Sequence, residues 1–255
     1  MVARLIGSVV VAMVGLFLAT SVSAAETGKT EDWASLFNGK DLAGWTVKCL
    51  PGDRDKVFWK VADGAIECDS MGRKKHADAW LITEKEFGDF ELKLKFQAFR
   101  NCPGNSGVQV RSRYDEGPGT PRGGWLDGPQ IDIHPPAPWR TGLIYDETRE
   151  EKRWISPSLK NWAIKKEQGP KEWKFKYADE GDGWNTMQII CRGTKIKTIV
   201  NGITISDYDG KGVLDNEAHR KHNVGLTGQI ALQLHSGDEL RIRFKDIVIR
   251  ELQEK

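Results

Sequence analysis

The 255-residue sequence has little of what several large protein classes require. It has four cysteines and no C-x-x-C pair, which argues against a zinc ribbon or a thioredoxin-like redox site. Its net charge is only +2, too small for a nucleic-acid binder that works through bulk electrostatics. Runs with helical periodicity are scarce, whereas 27 glycines favour a turn-rich β protein.

Aromatic residues, in contrast, are plentiful. Ten Trp and nine Phe supply enough apolar area to exclude disorder for most of the chain. The indole N–H needs a hydrogen-bond partner when it is buried. We therefore expect some of the ten tryptophans to lie on a binding surface.

Residues 1–25 have the composition of an export signal. Arg4 is the only charge before Glu26, and the apolar run between them spans about 15 residues, fewer than the roughly 20 of a membrane span. We expect cleavage after this segment and an exported, periplasmic or extracellular protein without a membrane span; an uncleaved N-terminal anchor is the alternative. Residues 26–34 predict a polar linker, and residues 35–253 a single domain.

Export would place the four cysteines where disulfides form: Cys49, Cys68, Cys102 and Cys191. Four cysteines allow three pairings, between which the sequence does not decide. Buried free thiols are the alternative in a domain large enough to have its own core.

Alternation of apolar and polar residues predicts strands over most of the chain. Residues 90–98 alternate throughout, and residues 195–206 predict a hairpin that turns at Asn201-Gly202. Residues 229–235 and 239–250 predict a second strand pair, with a bulge near Lys245-Asp246. The pattern indicates an all-β sandwich of two antiparallel sheets with long loops on one side. Only residues 159–168 indicate a short helical turn.

The stretch from 114 to 170 is rich in Pro, Gly and Trp and shows little periodicity. A segment of that length is too long for a plain connection, and long irregular segments in a compact domain are usually functional.

Several phrases, in order along the chain, resemble the 3-keto-disaccharide hydrolase family. They are SLFNGKDLAGW (35–45), WKVADGAI (59–66), GDFEL (88–92), GNSGV (104–108), GPQIDI (128–133), TGLIYDE (141–147), GWN (183–185), NG (201–202), GQIALQLHSG (228–237) and FKDI (244–247). The resemblance implies a concanavalin A-like jelly-roll sandwich with a concave sugar-binding face. It also implies action on glycosides whose sugar carries a ketone at carbon 3.

One position departs from the pattern that the resemblance implies. A Glu is expected two residues before Gln130, and Gly128 stands there. Asp132, two residues after Gln130, projects from the same face of a strand. Either Asp132 supplies the carboxylate or catalysis is absent.

A ketone makes the neighbouring C–H acidic, so the aglycone can leave by elimination and water can then add to the unsaturated sugar. This route needs a base, a stabiliser of the enolate and an acid for the departing oxygen. It also needs a source of the ketone, for which an upstream sugar 3-oxidoreductase is the expected partner.

His235 is the first candidate for acid/base chemistry. Ile230, Leu232 and Leu234 share one face of its strand, which leaves Gln233 and His235 together on the other. An unperturbed pKa near 6.5 suits proton transfer at neutral pH. A histidine that bonds a loop carbonyl is the alternative interpretation.

Gln130 and Asp132 form the second pair of catalytic candidates. With His134 they alternate against Ile131 and Ile133, so the three polar side chains share one face. Asp132 suits a base or a metal ligand, and Gln130 suits sugar hydroxyls. A solvated strand face is the alternative.

We predict further substrate contacts from side chains that can bind hydroxyls or stack on a sugar ring: Arg111, Asn105, Tyr145, Glu147, Gln233, Trp125 and Trp139. Trp154 lies in the same irregular segment as the last two. For each tryptophan the alternative is that it attaches a loop to the sandwich.

No pattern assigns a metal, and a divalent cation stays an open cofactor. His219 and His222 enclose two basic residues, which indicates a plain basic loop, and the acidic residues at 179–182 indicate a solvated turn. The leading hypothesis is an exported enzyme that cleaves 3-keto-glycosides. A carbohydrate-binding module without catalysis is the second, and an envelope structural protein is the third.

Overall fold

The computed structural model describes residues 32–102, 104–117 and 124–253. The expected export signal and most of the expected linker lie outside these ranges. The strands, in chain order, are β1 (Ala34–Ser35), β2 (Trp45–Cys49), β3 (Trp59–Ala62), β4 (Ala65–Asp69), β5 (Ala79–Phe87), β6 (Phe90–Ala98), β7 (Ser106–Asp115), β8 (Trp125–Asp127), β9 (Pro129–Ile133), β10 (Ile144–Asp146), β11 (Arg153–Ser156), β12 (Asn185–Arg192), β13 (Lys195–Val200), β14 (Ile203–Asp209), β15 (Gly228–Leu234) and β16 (Arg241–Glu251). A short helix, α1, spans Glu217–His222.

The strands form two antiparallel sheets of eight strands each. The first runs β14-β13-β12-β6-β16-β4-β3, with β1 paired to β16. The second runs β11-β10-β9-β7-β15-β5-β2, with β8 paired to β7. This architecture confirms the predicted all-β, jelly-roll sandwich. Among the described residues, no helix combines the length and apolar character that crossing a bilayer demands.

The hydrophobic core lies between the two sheets and is built by every second residue of the strands. Leu92 and Phe96 of β6 meet Leu232 and Leu234 of β15 in one buried cluster, each at most 1% exposed. Burial of each such side chain contributes roughly 1.5–3 kcal/mol. Period-two alternation then forces the intervening residues of the second sheet onto its outer face.

That outer face carries the polar residues that the alternation predicted. Ile131 and Ile133 of β9 enter the core, so Gln130 and Asp132 project outward. A smaller apolar cluster on this sheet contains Trp80, Ile82, Leu126 and Ala231. The face is therefore partly buried even though it lies outside the main core.

The hairpin at 195–206 and the bulge near the C-terminus are both confirmed. β13 pairs antiparallel with β14 through Asn201 and Gly202, whose φ angles are 49° and 79°. The register of β16 shifts between Lys245 and Val248, and Asp246 has a φ of 52°. The extra residue returns Ile247 to the buried side.

The predicted pairing of residues 229–235 with 239–250 is wrong. β15 pairs with β5 and β7, whereas β16 pairs with β4 and β6 in the opposite sheet. Both strands turn their apolar residues toward the same core from opposite sides, with Leu234 and Leu240 both fully buried. Residues 236–238 therefore cross the edge of the sandwich.

The structure also bears on three further expectations from the sequence: the turn at 159–168, the basic loop and the cysteines. Within 159–168 the structure forms a 3-10 turn at Lys166–Gln168. The segment interpreted as a basic loop forms α1, because the Asn216 side chain accepts a hydrogen bond from the His219 amide and caps the helix. All four cysteines are free thiols, three of them buried.

Candidate active site

A cavity of about 380 Å³ opens on the outer face of the second sheet. β9, β10, the end of β15 and the irregular segment supply most of its lining. The sequence-predicted residues that line it are His235, Asp132, Gln130, Asn105, Tyr145, Glu147 and Trp125, together with Trp154. Residues from chain positions more than 100 apart thus meet in one hollow.

Five lining residues were not identified from the sequence: Asp78, Arg140, Lys152, Trp162 and Ser236. Asp78 precedes β5 at an even spacing from Trp80 and Ile82, which pack on the outer face, so alternation along residues 78–82 was a usable signal. Lys152 belongs to a run of charged residues that has no periodicity, and nothing in that run marks it out.

Three predicted substrate residues do not line the cavity. Arg111 is fully buried and donates from Nε to the Gly88 carbonyl at 2.8 Å and from Nη2 to Asp89 Oδ1 at 2.9 Å. Its φ of 50° turns the side chain away from the direction that strand alternation predicts. Gln233 is on the outer face but only 1% exposed.

Trp139 lies outside the lining because its indole packs on Gly169. A Cβ built at Gly169 would approach the Trp139 ring to 2.6 Å. This tryptophan therefore attaches one loop to another, which is the alternative role considered for it.

Asp132 is a buried carboxyl beside a cation. It is 1% exposed, and Arg140 Nε donates to its Oδ2 at 3.1 Å. Burial raises the pKa of Asp132 to about 6 in spite of the opposing guanidinium. At neutral pH this group is mostly ionised and still a competent proton acceptor.

Glu147 and Lys152 repeat this arrangement. Their Oε2 and Nζ atoms lie 3.4 Å apart. Burial raises the pKa of Glu147 to about 7, and burial lowers the pKa of Lys152. The ammonium also lies 3.1 Å from the centre of the Trp125 ring, a cation–π contact.

His235 differs from both carboxyls because it is held in its charged form. Its Nδ1 lies 3.5 Å from Asp238 Oδ2, and this carboxylate, with Asp78, raises the pKa of His235 to about 9. Burial alone would raise the pKa of Asp238, but His235 and the Asn105 amide lower it. The imidazole is therefore an acid at neutral pH, not the base that its unperturbed pKa allows.

The cavity also contains buried side-chain amides whose oxygens accept no hydrogen bond. Over the described part of the chain, the side-chain oxygens of Asn105 and Gln130 are buried without a hydrogen-bond partner. Gln130 occupies space that a side chain at Gly107 would fill, since a Cβ there would lie 2.6 Å from its Cγ. A buried unsatisfied acceptor is costly, so both oxygens suit ligand hydroxyl groups.

Gly128 cannot be replaced by the expected glutamate in this backbone. Its φ is 128°, and a Cβ at this position would lie 2.2 Å from Ser112 Oγ. The carboxyls of the cavity come instead from Asp132, Glu147 and Asp78.

In the residues that the structure describes, no group of three or more His, Cys, Asp or Glu side chains is arranged so that it could hold a metal ion. In the acidic turn at 179–182, Asp179 and Glu180 form ion pairs with Arg100, and Asp182 forms one with Lys176.

At neutral pH the cavity thus combines one protonated imidazole with two carboxyls that titrate near neutrality. General acid–base catalysis is most efficient when the catalytic pKa lies near the working pH. Removal of a proton from one carbon and delivery of another to a departing oxygen can both take place there.

Comparison with solved structures shows the same fold. A candidate glycosyl hydrolase from Parabacteroides distasonis ATCC 8503 has a TM-score of 0.56 at 20% identity, covering 91% of this chain and 99% of its own. A second candidate from that strain has a TM-score of 0.51 at 24% identity, covering 87% and 100%. The carbohydrate recognition domain of Emp46p has a TM-score of 0.50 at 12% identity, covering 84% and 91%.

The search of curated proteins found no match. The family described as the 3-keto-alpha-glucoside-1,2-lyase-like domain matches residues 32–250, nearly all of the described chain. The match agrees with the phrases quoted above and with the sandwich fold. This chain is a member of that family, the 3-keto-disaccharide hydrolases.

Proposed function

We propose that the protein cleaves 3-keto-glycosides by elimination followed by addition of water. The observation that carries the proposal is the convergence of Asp132, Glu147 and His235 on one cavity. Each has a pKa raised by its surroundings, to about 6, 7 and 9 respectively. Acid and base are thus present together between pH 7 and pH 9.

In the first step, Asp132 takes the proton from carbon 2 of the sugar. The electron pair moves toward the ketone at carbon 3, which becomes an enolate. Arg140 holds the Asp132 carboxylate at 3.1 Å and keeps it ionised against its burial. Gln130, on the same strand face, binds a sugar hydroxyl.

In the second step, the enolate returns its electrons and the glycosidic bond at carbon 1 breaks. His235 gives its proton to the departing oxygen, so the aglycone leaves as a neutral alcohol. The positive charge of the Lys152 ammonium stabilises the enolate oxygen. Such electrostatic stabilisation is stronger in a partly buried site than in water. The product is a sugar with a double bond between carbons 1 and 2.

In the third step, water adds to that double bond. Glu147, with a pKa of about 7, accepts the water proton as oxygen bonds to carbon 1. Protonated Asp132, whose acidic proton has exchanged with solvent while the aglycone left, gives a proton to carbon 2. Glu147 then releases its proton to solvent and His235 takes one up, which restores both groups. The sum is hydrolysis, with the sugar ketone unchanged.

The test is release of p-nitrophenolate from p-nitrophenyl 3-keto-α-glucoside by the purified protein. The unoxidised glucoside, which has no acidic C–H, is the matched control and should not react. In deuterated water, elimination predicts deuterium at carbon 2 of the product above the level seen without protein. No release from the ketone by folded protein, with divalent cations added in a parallel arm, would refute the proposal.

A carbohydrate-binding role without catalysis is the second candidate. Indole groups of Trp125, Trp154 and Trp162 border the cavity, as in a site that binds sugars by stacking. Calorimetric binding of unoxidised oligosaccharides without turnover of the ketone would favour it. His235→Ala separates the two roles, because an enzyme should lose turnover and keep much of its binding.

The same proposal includes the cellular setting. The composition of residues 1–25 supports export to the periplasm or the cell exterior. A sugar 3-oxidoreductase must act before this protein, because its substrate already carries the ketone. Edman sequencing of the mature protein from its native host tests the expected cleavage site.

A further inference from the structure

We propose that the indole of Trp162 forms the aglycone subsite of this cavity. The preferred aglycone then has a flat apolar ring face, as an aryl group or a second pyranose has. This inference rests on the function proposed above and specifies its substrate class.

Trp162 is unusual among the lining residues because its side chain is largely in water. It is 74% exposed, whereas Trp154, in strand β11, is 1% exposed. Burial of a large aromatic side chain is one of the main gains that folding offers. The fold leaves most of the apolar surface of the Trp162 indole in contact with water, so its face remains available to a ligand.

The backbone at Trp162 is nevertheless fixed. Its carbonyl oxygen accepts a hydrogen bond from Trp154 Nε1 at 2.6 Å. On either side, the Asn161 side chain accepts from the Ala163 amide at 3.0 Å, and the Leu159 amide donates to the Trp154 carbonyl at 3.0 Å. A fully buried tryptophan therefore anchors the loop, and little ordering is needed when a ring stacks on it.

The reacting groups are buried within the cavity, so we assign the aglycone to its exposed mouth. A volume of about 380 Å³ is near the lower end of ligand pockets, roughly 300–1,000 Å³. The buried groups Asp132 and Gln130 lie in its interior, where the reacting sugar ring must sit. The group attached at carbon 1 then leaves through the mouth, where the most exposed lining side chain is Trp162.

The chemistry of the mouth favours a ring over a flexible chain. Indole stacks on the C–H face of a pyranose or on an aromatic ring, and such contacts contribute about 0.5–1.5 kcal/mol.

The experiment compares wild type, Trp162→Ala and Trp162→Phe on three 3-keto-α-glucosides. The aglycones are methyl, p-nitrophenyl and glucosyl, and kcat/KM is measured for each by quantifying 3-keto-glucose. Trp162→Ala should lower kcat/KM roughly three- to tenfold for the two ring aglycones and leave the methyl glycoside unchanged. Trp162→Phe should retain much of the wild-type kcat/KM for the two ring aglycones.

Trp173→Ala is the matched control. Trp173 is also a surface tryptophan, 36% exposed, but it lines a separate groove with Phe175 and Trp184. Its removal should leave kcat/KM unchanged for all three substrates.

Each outcome decides the inference. An equal loss of kcat/KM for all three substrates would mean that Trp162 supports the fold of the site. That result would overturn the inference that it forms an aglycone subsite. A loss on only one ring aglycone would restrict the subsite to an aryl or a sugar ring. If wild type cleaves the methyl glycoside and Trp162→Ala has no effect on any aglycone, the subsite fails but the proposed function stands. No release from all three by wild type refutes both.

Discussion

Asp238 Oδ2 lies 3.5 Å from His235 Nδ1, and this contact sets the charge of the imidazole in the cavity. Asp238 belongs to the short connection that crosses from β15 to β16. The segment that joins the two sheets therefore also raises the pKa of His235. The Asn105 amide donates to the same oxygen at 2.7 Å and holds the carboxylate in place.

The pH dependence of kcat/KM follows from the three titrating groups. We expect activity to rise with pH through about 6 and about 7, as Asp132 and Glu147 lose their protons. It should fall as pH passes about 9, where His235 loses its proton. Initial rates at low substrate concentration between pH 5 and pH 10 measure this profile. A maximum at pH 5, or a rate still rising at pH 10, would contradict the assignment.

Asp238→Asn should shift the alkaline limb of the kcat/KM profile to lower pH. Loss of the carboxylate lowers the pKa of His235 from about 9 toward its ordinary value, so the alkaline limb moves down by about one unit or more. Asp207→Asn removes a surface partner of Lys197 and should leave the profile unchanged. An alkaline limb that stays near pH 9 in Asp238→Asn would mean that another group titrates there.

Asp132→Asn should lower kcat by roughly 10²- to 10⁴-fold, the usual contribution of a positioned base. The same change should increase stability at neutral pH. The folded-state pKa of about 6 is above the ordinary aspartate value of 3.8, so the carboxyl stabilises the fold below about pH 4 and this contribution is lost as pH rises through 6.

Asparagine is neutral at every pH and does not undergo that loss. Thermal melts should therefore show wild type and Asp132→Asn alike near pH 4, with the variant more stable at pH 8 by on the order of 1 kcal/mol. A variant that is less stable than wild type at pH 8 would show that the Arg140 ion pair outweighs the burial of the charge.

Lys152→Met should move the acid limb of the profile upward. The ammonium lowers the pKa of Glu147 against the larger effect of burial, so its removal raises that pKa above 7. We also expect a lower kcat, because the enolate loses a nearby positive charge. Lys176→Met, which breaks the exposed pair with Asp182, is the control. An unchanged acid limb in Lys152→Met would show that Glu147 does not govern it.

Gly128→Ala should destabilise the fold by about 2 kcal/mol or more. The substitution places a Cβ at a φ of 128° and 2.2 Å from Ser112 Oγ. For a domain of this size the melting temperature should fall by about 5 °C or more. Gly52→Ala, where nothing lies within 4 Å of the added Cβ, should melt like wild type. A Gly128→Ala protein of normal stability would mean that the backbone here adapts and that a glutamate could be accommodated.

Local patterns predicted much of the sheet structure because alternation and turn chemistry act over a few residues. The strand at 90–98 has the predicted bounds, and the Asn201-Gly202 turn joins β13 to β14. The same reasoning failed at residues 236–238, where a short connection joins strands of different sheets. Alternation identifies which face of a strand is buried, but not which neighbour supplies the partner.

The candidate site shows the same division. Period two placed Gln130 and Asp132 on one face and His235 on another polar face, and both faces border the cavity. It placed Arg111 there as well, but a positive φ turns that side chain into a network with Gly88 and Asp89. The register of β7 against β15 shifts here, since Ser112 pairs with Gln229 and Gln109 with Ala231, and such a bulge ends the strict alternation of side chains.

The amino-acid sequence by itself determined the sandwich, its family and the polar faces of two strands, because these depend on periodicity and on short ordered phrases. Only the tertiary structure decided that Lys152 lies beside Glu147, and Asp238 beside His235, and therefore which groups are charged at neutral pH. A pKa depends on burial and on charges a few ångströms away. Those distances are set by how the chain crosses between sheets, which no local pattern encodes.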